Sequence, residues 1–162
     1  MRYFKDTDNN PYVFEDNVTE AIIKKVEATH NAELTEITRQ EYEALIAPTL
    51  EELKERKKQE IESAYKQAIQ EPIAVFISGN EHTFQADEKS QDILTKVITS
   101  APDGFSTNWL DIDNNPVSVT LADLKLIAQS ILSRGQQEFV KKMQLKTRVD
   151  AATSEEELDA IK

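Results

Sequence analysis

The sequence contains no cysteine, only three glycines among 162 residues, and no long apolar run. The absence of cysteine excludes disulfides, thiolate catalysis and cysteine-ligated zinc. The scattered Gly79, Gly104 and Gly135 cannot form a phosphate-cradling loop or a dinucleotide-binding turn, since both need several glycines in one short segment. The longest apolar run, residues 73–77, is far shorter than the roughly 20 residues of a membrane-spanning helix.

Positive charge is also scarce, because 19 Lys and Arg stand against 30 Asp and Glu, a formal net charge of −11. Binding to nucleic acid or to anionic lipid needs clustered basic residues, so we expect neither a nucleic-acid nor a membrane partner. The first residues hold no apolar stretch like that of a signal peptide. We therefore expect a soluble protein that is made inside a cell, with the cytoplasm as the default location.

Three pairs of short β-prone segments, each around a polar turn, predict three β-hairpins. The pairs are residues 2–5 with 11–14, residues 73–77 with 82–84, and residues 109–112 with 117–119. The first and third turns share the pattern Asp-x-Asp-Asn-Asn-Pro, at residues 6–11 and 111–116. We expect both to be Asx turns of one design and not calcium loops, because proline stands where an EF-hand loop needs glycine.

Capping signals predict where most helices begin. The expected N-cap residues are Thr38, Thr49, Asp87, Thr120 and Thr153. Residues 18–28 predict a further helix, with a strand as the alternative because several of its apolar residues are β-branched. The longest helix is expected over about residues 121–149, where apolar residues from Leu121 to Val149 lie near one stripe.

The helix over residues 50–70 differs from the others because its middle, residues 55–60, is polar on every face. Such a helix usually bridges two bodies or is fully solvated. We therefore expect an α+β fold of short hairpins followed by helices, with a long C-terminal helix. The predicted division is an N-terminal module (residues 1–48), a polar connector helix (49–71) and a C-terminal α+β module (72–162).

No group of side chains predicts catalysis, a metal site or a cofactor site. His30 and His82, the only histidines, lack a histidine partner at helical spacing. No Gly-x-Ser-x-Gly nucleophile motif occurs, and no pair of acidic residues stands out among so many. We expect a protein that is not an enzyme and that uses no cofactor.

Aromatic residues are the candidates for partner binding. Tyr3, Phe4, Tyr12 and Phe14 crowd the first hairpin, with more aromatic surface than two short strands can bury alone. Either the following helix covers them, which we favour, or a partner strand does. Trp109, the only tryptophan, is expected to anchor the core or a domain interface, and a partner-binding hot spot is the alternative.

Two groups of segments carry a family resemblance. The first comprises residues 2–6 (RYFKD), 34–45 (LTEITRQEYEAL) and 48–53 (PTLEEL), and it resembles the N-terminal part of bacteriophage tail fibre assembly proteins. The second comprises residues 79–84 (GNEHTF), 87–91 (DEKSQ), Trp109 with its hairpin, 133–139 (SRGQQEF) and 151–158 (AATSEEEL). This second group resembles a domain of unknown function found in phage and prophage tail proteins.

The resemblance implies a tail fibre assembly chaperone, a small accessory protein that binds a trimeric tail fibre and helps it fold or assemble. It implies the cytoplasm of the infected bacterium, or the virion tail, as the location. The alternative is a structural adaptor retained in the virion, and formation of a homo-oligomer stays open. An acidic DNA mimic is disfavoured, because lysine is interleaved with glutamate over residues 52–58.

Overall fold

The computed structural model describes residues 1–162, which form six helices and seven strands in three small antiparallel sheets. The α+β class, the hairpins and the long C-terminal helix are as predicted. Contacts divide the chain into two compact units, Met1–Thr49 and Leu50–Lys162. None of the helices combines the length and the apolar character that a membrane crossing demands.

The first unit is a three-stranded antiparallel sheet with two helices. Its elements in chain order are β1 (Arg2–Lys5), β2 (Pro11–Phe14), α1 (Glu20–His30), β3 (Thr35–Ile37) and α2 (Arg39–Ile46). The strand order is β2-β1-β3, so the first strand of the chain lies in the middle of the sheet. The segment between the hairpin and β3 is a helix and not a strand.

The second unit contains two hairpins and four helices. Its elements in chain order are α3 (Leu50–Ala68), β4 (Ile73–Ile77), β5 (Asn80–Phe84), α4 (Glu88–Ser100), β6 (Ser106–Leu110), β7 (Pro116–Thr120), α5 (Leu121–Ala151) and α6 (Glu155–Asp159). All three hairpins expected from the sequence are therefore present, and α5 is the expected long helix. Strand β6 spans Ser106–Leu110 and not residues 109–112, because Asp111 begins the turn.

Side-chain caps begin the helices close to where the sequence predicts them. Capping boxes form at Thr38 and Thr120, and the Asp87 carboxylate caps α4. The last helix begins one residue later than predicted, with Ser154 as its N-cap in place of Thr153. The reason is local, because the Ser154 hydroxyl accepts the hydrogen bond from the backbone N–H of Glu157, whereas the Thr153 hydroxyl donates to the Glu157 carboxylate.

The two Asp-x-Asp-Asn-Asn-Pro segments form the same turn, as predicted. The Asp6 carboxylate accepts hydrogen bonds from the backbone N–H groups two and four residues later, at 2.9 and 2.8 Å. The Asp111 carboxylate does the same at 2.9 and 2.8 Å. Asn9 and Asn114, three positions after each aspartate, both adopt a left-handed φ of 63°, which asparagine tolerates. No group of three or more acidic or histidine side chains is arranged to hold a metal ion.

Two apolar clusters stabilise the second unit. The main core joins the two hairpins, α4 and the first half of α5, and its buried members are Val75, Ile77, Phe84, Ala86, Leu94, Val117, Val119, Leu124, Ile127 and Ile131. Alternate residues of β4 and β7 face this core, as the period of a strand requires. A smaller core joins α3, the end of α5 and α6, and its buried members are Ile61, Val149, Ala152, Leu158 and Ile161.

Helix α3 belongs to the second unit, whereas the polar middle of this helix had predicted a connector between two modules over residues 49–71. It packs along α5, with Ile61 buried in the smaller core and Leu50 beside it. Its polar middle also has a partner, because the Lys58 ammonium forms an ion pair with Asp150 of α5 at 2.7 Å. The polar residues in the middle of α3 form no apolar stripe and therefore did not predict this packing, because charged groups make the contacts there.

Leu124→Ala is expected to destabilise the second unit by about 2–5 kcal/mol, because Leu124 is 0% exposed in the main core and truncation leaves a cavity. The matched control is Leu126→Ala on the same helix, where the side chain is 41% exposed and the expected loss is below about 1 kcal/mol. Urea unfolding followed by circular dichroism measures both free energies. Equal losses would contradict the assignment of the two faces of α5.

Candidate partner-binding surfaces

The aromatic residues of the first hairpin lie on two faces of the three-stranded sheet. The antiparallel register places Phe4 opposite Tyr12 and Tyr3 opposite Val13. Because successive side chains of a strand point to opposite faces, Phe4, Tyr12 and Phe14 share one face and Tyr3 lies on the other. The four predicted candidates are thus close together, but they do not form one continuous surface.

Contacts within the unit cover much of the first face. Phe4 is buried, and its ring meets Phe14 edge-on with the ring centroids 5.5 Å apart. The Tyr12 ring meets His30, the last residue of α1, at 5.9 Å. Phe4 is therefore a core residue of the sheet, whereas Tyr12 and Phe14 are only partly buried.

The second face is covered by α2. The Tyr3 ring lies 4.8 Å from the ring of Tyr42, measured between centroids. Val13, which pairs with Tyr3 across the hairpin, remains 49% exposed. Helices of the unit therefore contact the aromatic side chains on both faces, and the exposed apolar surface that remains lies on β2.

Both outer strands of the sheet have an open edge. Strands β2 and β3 each pair only with β1, so no strand of the chain occupies their outer sides. Strand β3 has three residues, and its Glu36 is held by Arg2 through two hydrogen bonds of 2.8 and 2.7 Å. Because an unpaired edge can accept an added strand, the longer β2 edge, Pro11–Phe14, is the candidate binding surface of the first unit.

Asp6 holds the start of β2 in place. Its buried carboxylate accepts hydrogen bonds from the Asn10 side-chain amide at 2.8 Å and from the Tyr12 hydroxyl at 3.3 Å. These bonds, the one from the Asn10 side chain first, hold the pKa of Asp6 below its ordinary value. Burial, with the neighbouring carboxylate, raises the pKa of Tyr12. The turn therefore fixes both the strand and one of its aromatic side chains.

In the second unit, α5 carries apolar residues that lie outside both cores. Leu132, Phe139, Val140 and Met143 are between 49% and 62% exposed. Their spacing places them on one side of the helix, and we call them the outer stripe. Their spacing along the sequence had predicted that they lie on one stripe with the core-facing residues of α5. The structure corrects this, because the side chains of α5 that are buried in the two cores are Leu124, Ile127, Ile131 and Val149, and none of the four exposed residues is among them.

The outer stripe borders a groove of about 630 Å³ between the C-terminal end of α3 and the middle of α5. Tyr65 and Ile69 line its α3 side, and Gly135 lies in the lining from α5. The Lys142 ammonium lies 3.8 Å from the centroid of the Tyr65 ring and 3.3 Å from the Glu62 carboxylate. A cation–π contact and an ion pair thus fix one wall of this groove.

Trp109 lies in the other unit from the four hairpin aromatics. It is on β6, opposite Val117, and packs partly buried against the main core.

The outer stripe was not predicted from the sequence as a candidate binding surface. The sequence did contain a signal for it. The apolar residues of α5 cover more of the helix circumference than one core can bury, so a single core-facing stripe does not account for all of them.

The second unit also matches a known protein family. The family is described as Domain of unknown function (DUF4376), and the match covers residues 52–162. It therefore includes almost all of the second unit and none of the three-stranded sheet. No curated protein and no solved structure matches the chain.

Asp6→Asn is expected to flatten the acid dependence of stability in the first unit. Because the pKa of Asp6 is lower in the folded chain than in the unfolded chain, its contribution is present above about pH 4 and is lost as the pH falls through the folded pKa. Thermal unfolding midpoints at neutral and acidic pH measure this dependence. Asp8→Asn, in the same turn, is the matched control, and identical profiles for both variants would contradict the role given to Asp6.

Proposed function

The chain belongs to the DUF4376 family, and we propose that it binds a phage tail fibre protein and assists its folding or assembly without catalysis. The description of the family names no activity. The proposal therefore draws on the resemblance of residues 2–53 to tail fibre assembly proteins and on the binding surfaces of the first unit. The partner we propose is the trimeric fibre, met in the cytoplasm of the infected bacterium.

The open β2 edge is the observation that carries this proposal. Fibres built from long strands expose unpaired edges before the trimer closes, and such edges aggregate. A free edge such as β2 can pair with one of them by β-augmentation, in which main-chain hydrogen bonds supply affinity and side chains supply specificity. The exposed Val13 and the partly buried Tyr12 and Phe14 provide apolar contacts beside those hydrogen bonds.

The charge of the chain supports a chaperone role. With a formal net charge of −11, the protein adds negative charge to a complex with an aggregation-prone partner, and a high net charge favours solubility. A virion adaptor is the second candidate, and the division into two compact units favours it, since each unit offers a separate surface for one of two partners.

The proposal is tested by expressing the tail fibre protein that is encoded beside this chain, once together with the chain and once without it. We expect soluble, trimeric fibre only in the presence of the chain, measured by size-exclusion chromatography with light scattering. Release of the chain from the mature trimer supports the chaperone, and stoichiometric retention in purified particles supports the adaptor. Fibre that trimerises unaided and does not bind the chain would contradict both.

Val13→Lys is expected to lower the yield of trimeric fibre in this assay, because a charged side chain on an edge strand disfavours pairing with another strand. Ile22→Lys is the matched control, since Ile22 is in the same unit, lies on α1, and is 50% exposed against 49% for Val13. Circular dichroism first establishes that both variants fold. Equal yields for the two variants would argue against the β2 edge as the binding surface.

A further inference from the structure

We propose that the outer stripe of α5 binds the same stripe of a second copy of this chain, with the two helices antiparallel. This proposal concerns the second unit and does not depend on fibre binding. Four large apolar side chains, each at least 49% exposed, lie on one side of a single helix. Apolar residues concentrated in this way mark an interaction surface more often than isolated exposed ones do.

The spacing of the stripe is that of a helix–helix seam. Three stripe members (Leu132, Phe139 and Met143) and the polar Gln136 follow one another at intervals of four, three and four residues along α5, and Val140 lies beside this row. This alternation is the a/d pattern with which two helices pack side by side. The surface therefore matches another helix better than it matches an extended strand.

Gly135 independently indicates that another helix packs closely against α5. Helix α5 runs through it without a break, and glycine weakens a helix interior relative to alanine. A Cβ built at Gly135 meets no atom within 4 Å, so nothing inside the chain requires a glycine there. A missing side chain beside an exposed apolar stripe allows a second helix to approach closely.

The stripe is complementary to itself when a two-fold axis passes near Gln137 and Glu138. In that antiparallel arrangement Leu132 lies opposite Met143 of the second copy, and Phe139 lies opposite Gln136. Leu132 and Met143 then meet as apolar side chains, and the Phe139 ring meets the methylene groups of Gln136. Each such contact occurs twice, as an isologous two-fold interface requires.

Charges at the two ends of the stripe favour the antiparallel direction. Lys125 lies seven residues before Leu132 and Asp150 lies seven residues after Met143, so both continue the same side of the helix. The same two-fold axis brings Lys125 of each copy opposite Asp150 of the other. Asp150 is 63% exposed and already accepts one ion pair from Lys58, and its carboxylate has sites for another donor. A parallel pair would instead place like charges together.

The oligomeric state of the full chain tests the proposal. Sedimentation velocity over a range of concentrations should show a dimer, and Phe139→Glu should shift it to the monomer. Leu126→Glu is the matched control, because Leu126 is also an exposed apolar residue of α5 but lies off the stripe. Circular dichroism establishes that both variants fold. A wild-type monomer at every concentration would overturn the proposal. That outcome includes a chain whose stripe is covered by its own first unit and a chain whose stripe binds only the fibre.

Cysteine pairing tests the direction of the helices, since the chain has no cysteine of its own. Mixing Lys125→Cys protein with Asp150→Cys protein should give a disulfide between the two variants under mild oxidation. Lys125→Cys alone should give none, because a rise of about 1.5 Å per residue separates its two copies by about 37 Å in the antiparallel pair. Efficient cross-linking of Lys125→Cys alone would overturn the antiparallel arrangement.

Gly135→Leu separates dimerisation from folding. The side chain has open space in the single chain, so the thermal stability of the monomer should hold or rise. The dimer should weaken at least tenfold, because the new side chain beside the seam holds the second helix farther from α5. A dimer with unchanged affinity would contradict close packing at Gly135.

Discussion

The burial of one side of α5 is the constraint on which the second unit depends. The first half of the helix closes the main core through Leu124, Ile127 and Ile131, and its end closes the smaller core through Val149. A helix of 31 residues is about 46 Å long, so it can serve both cores without a break. The hairpins, α3 and α6 pack against the side that carries these residues, and the outer stripe beside it remains exposed.

The first unit is organised around a different element, the central strand β1. Helices α1 and α2 contact aromatic side chains on the two faces of the sheet, while β2 and β3 pair with the two edges of β1. A sheet of three short strands has no further strand to cover those edges. The unit therefore presents backbone for pairing, whereas the second unit presents an apolar helix surface.

The family match assigns these two surfaces to different parts of the chain. Residues 52–162 carry the match and include the outer stripe, while the β2 edge lies outside them. Under the two proposals, self-association is a property of the matched domain and fibre binding is a property of the preceding unit. A dimer would then present two β2 edges to one fibre, which raises the effective concentration of the second edge once the first has bound.

Local signals in the sequence by themselves determined the three hairpins, the paired Asp turns and most helix starts, because Thr38, Asp87 and Asp111 bond to backbone only a few residues away. Only the tertiary structure decided which apolar and polar faces are covered. It separated Tyr3 from Phe4 through the strand register, placed α3 within the second unit, and left the outer stripe exposed. The physical reason is that a periodic pattern states which residues share a face, whereas burial depends on whether another element reaches that face.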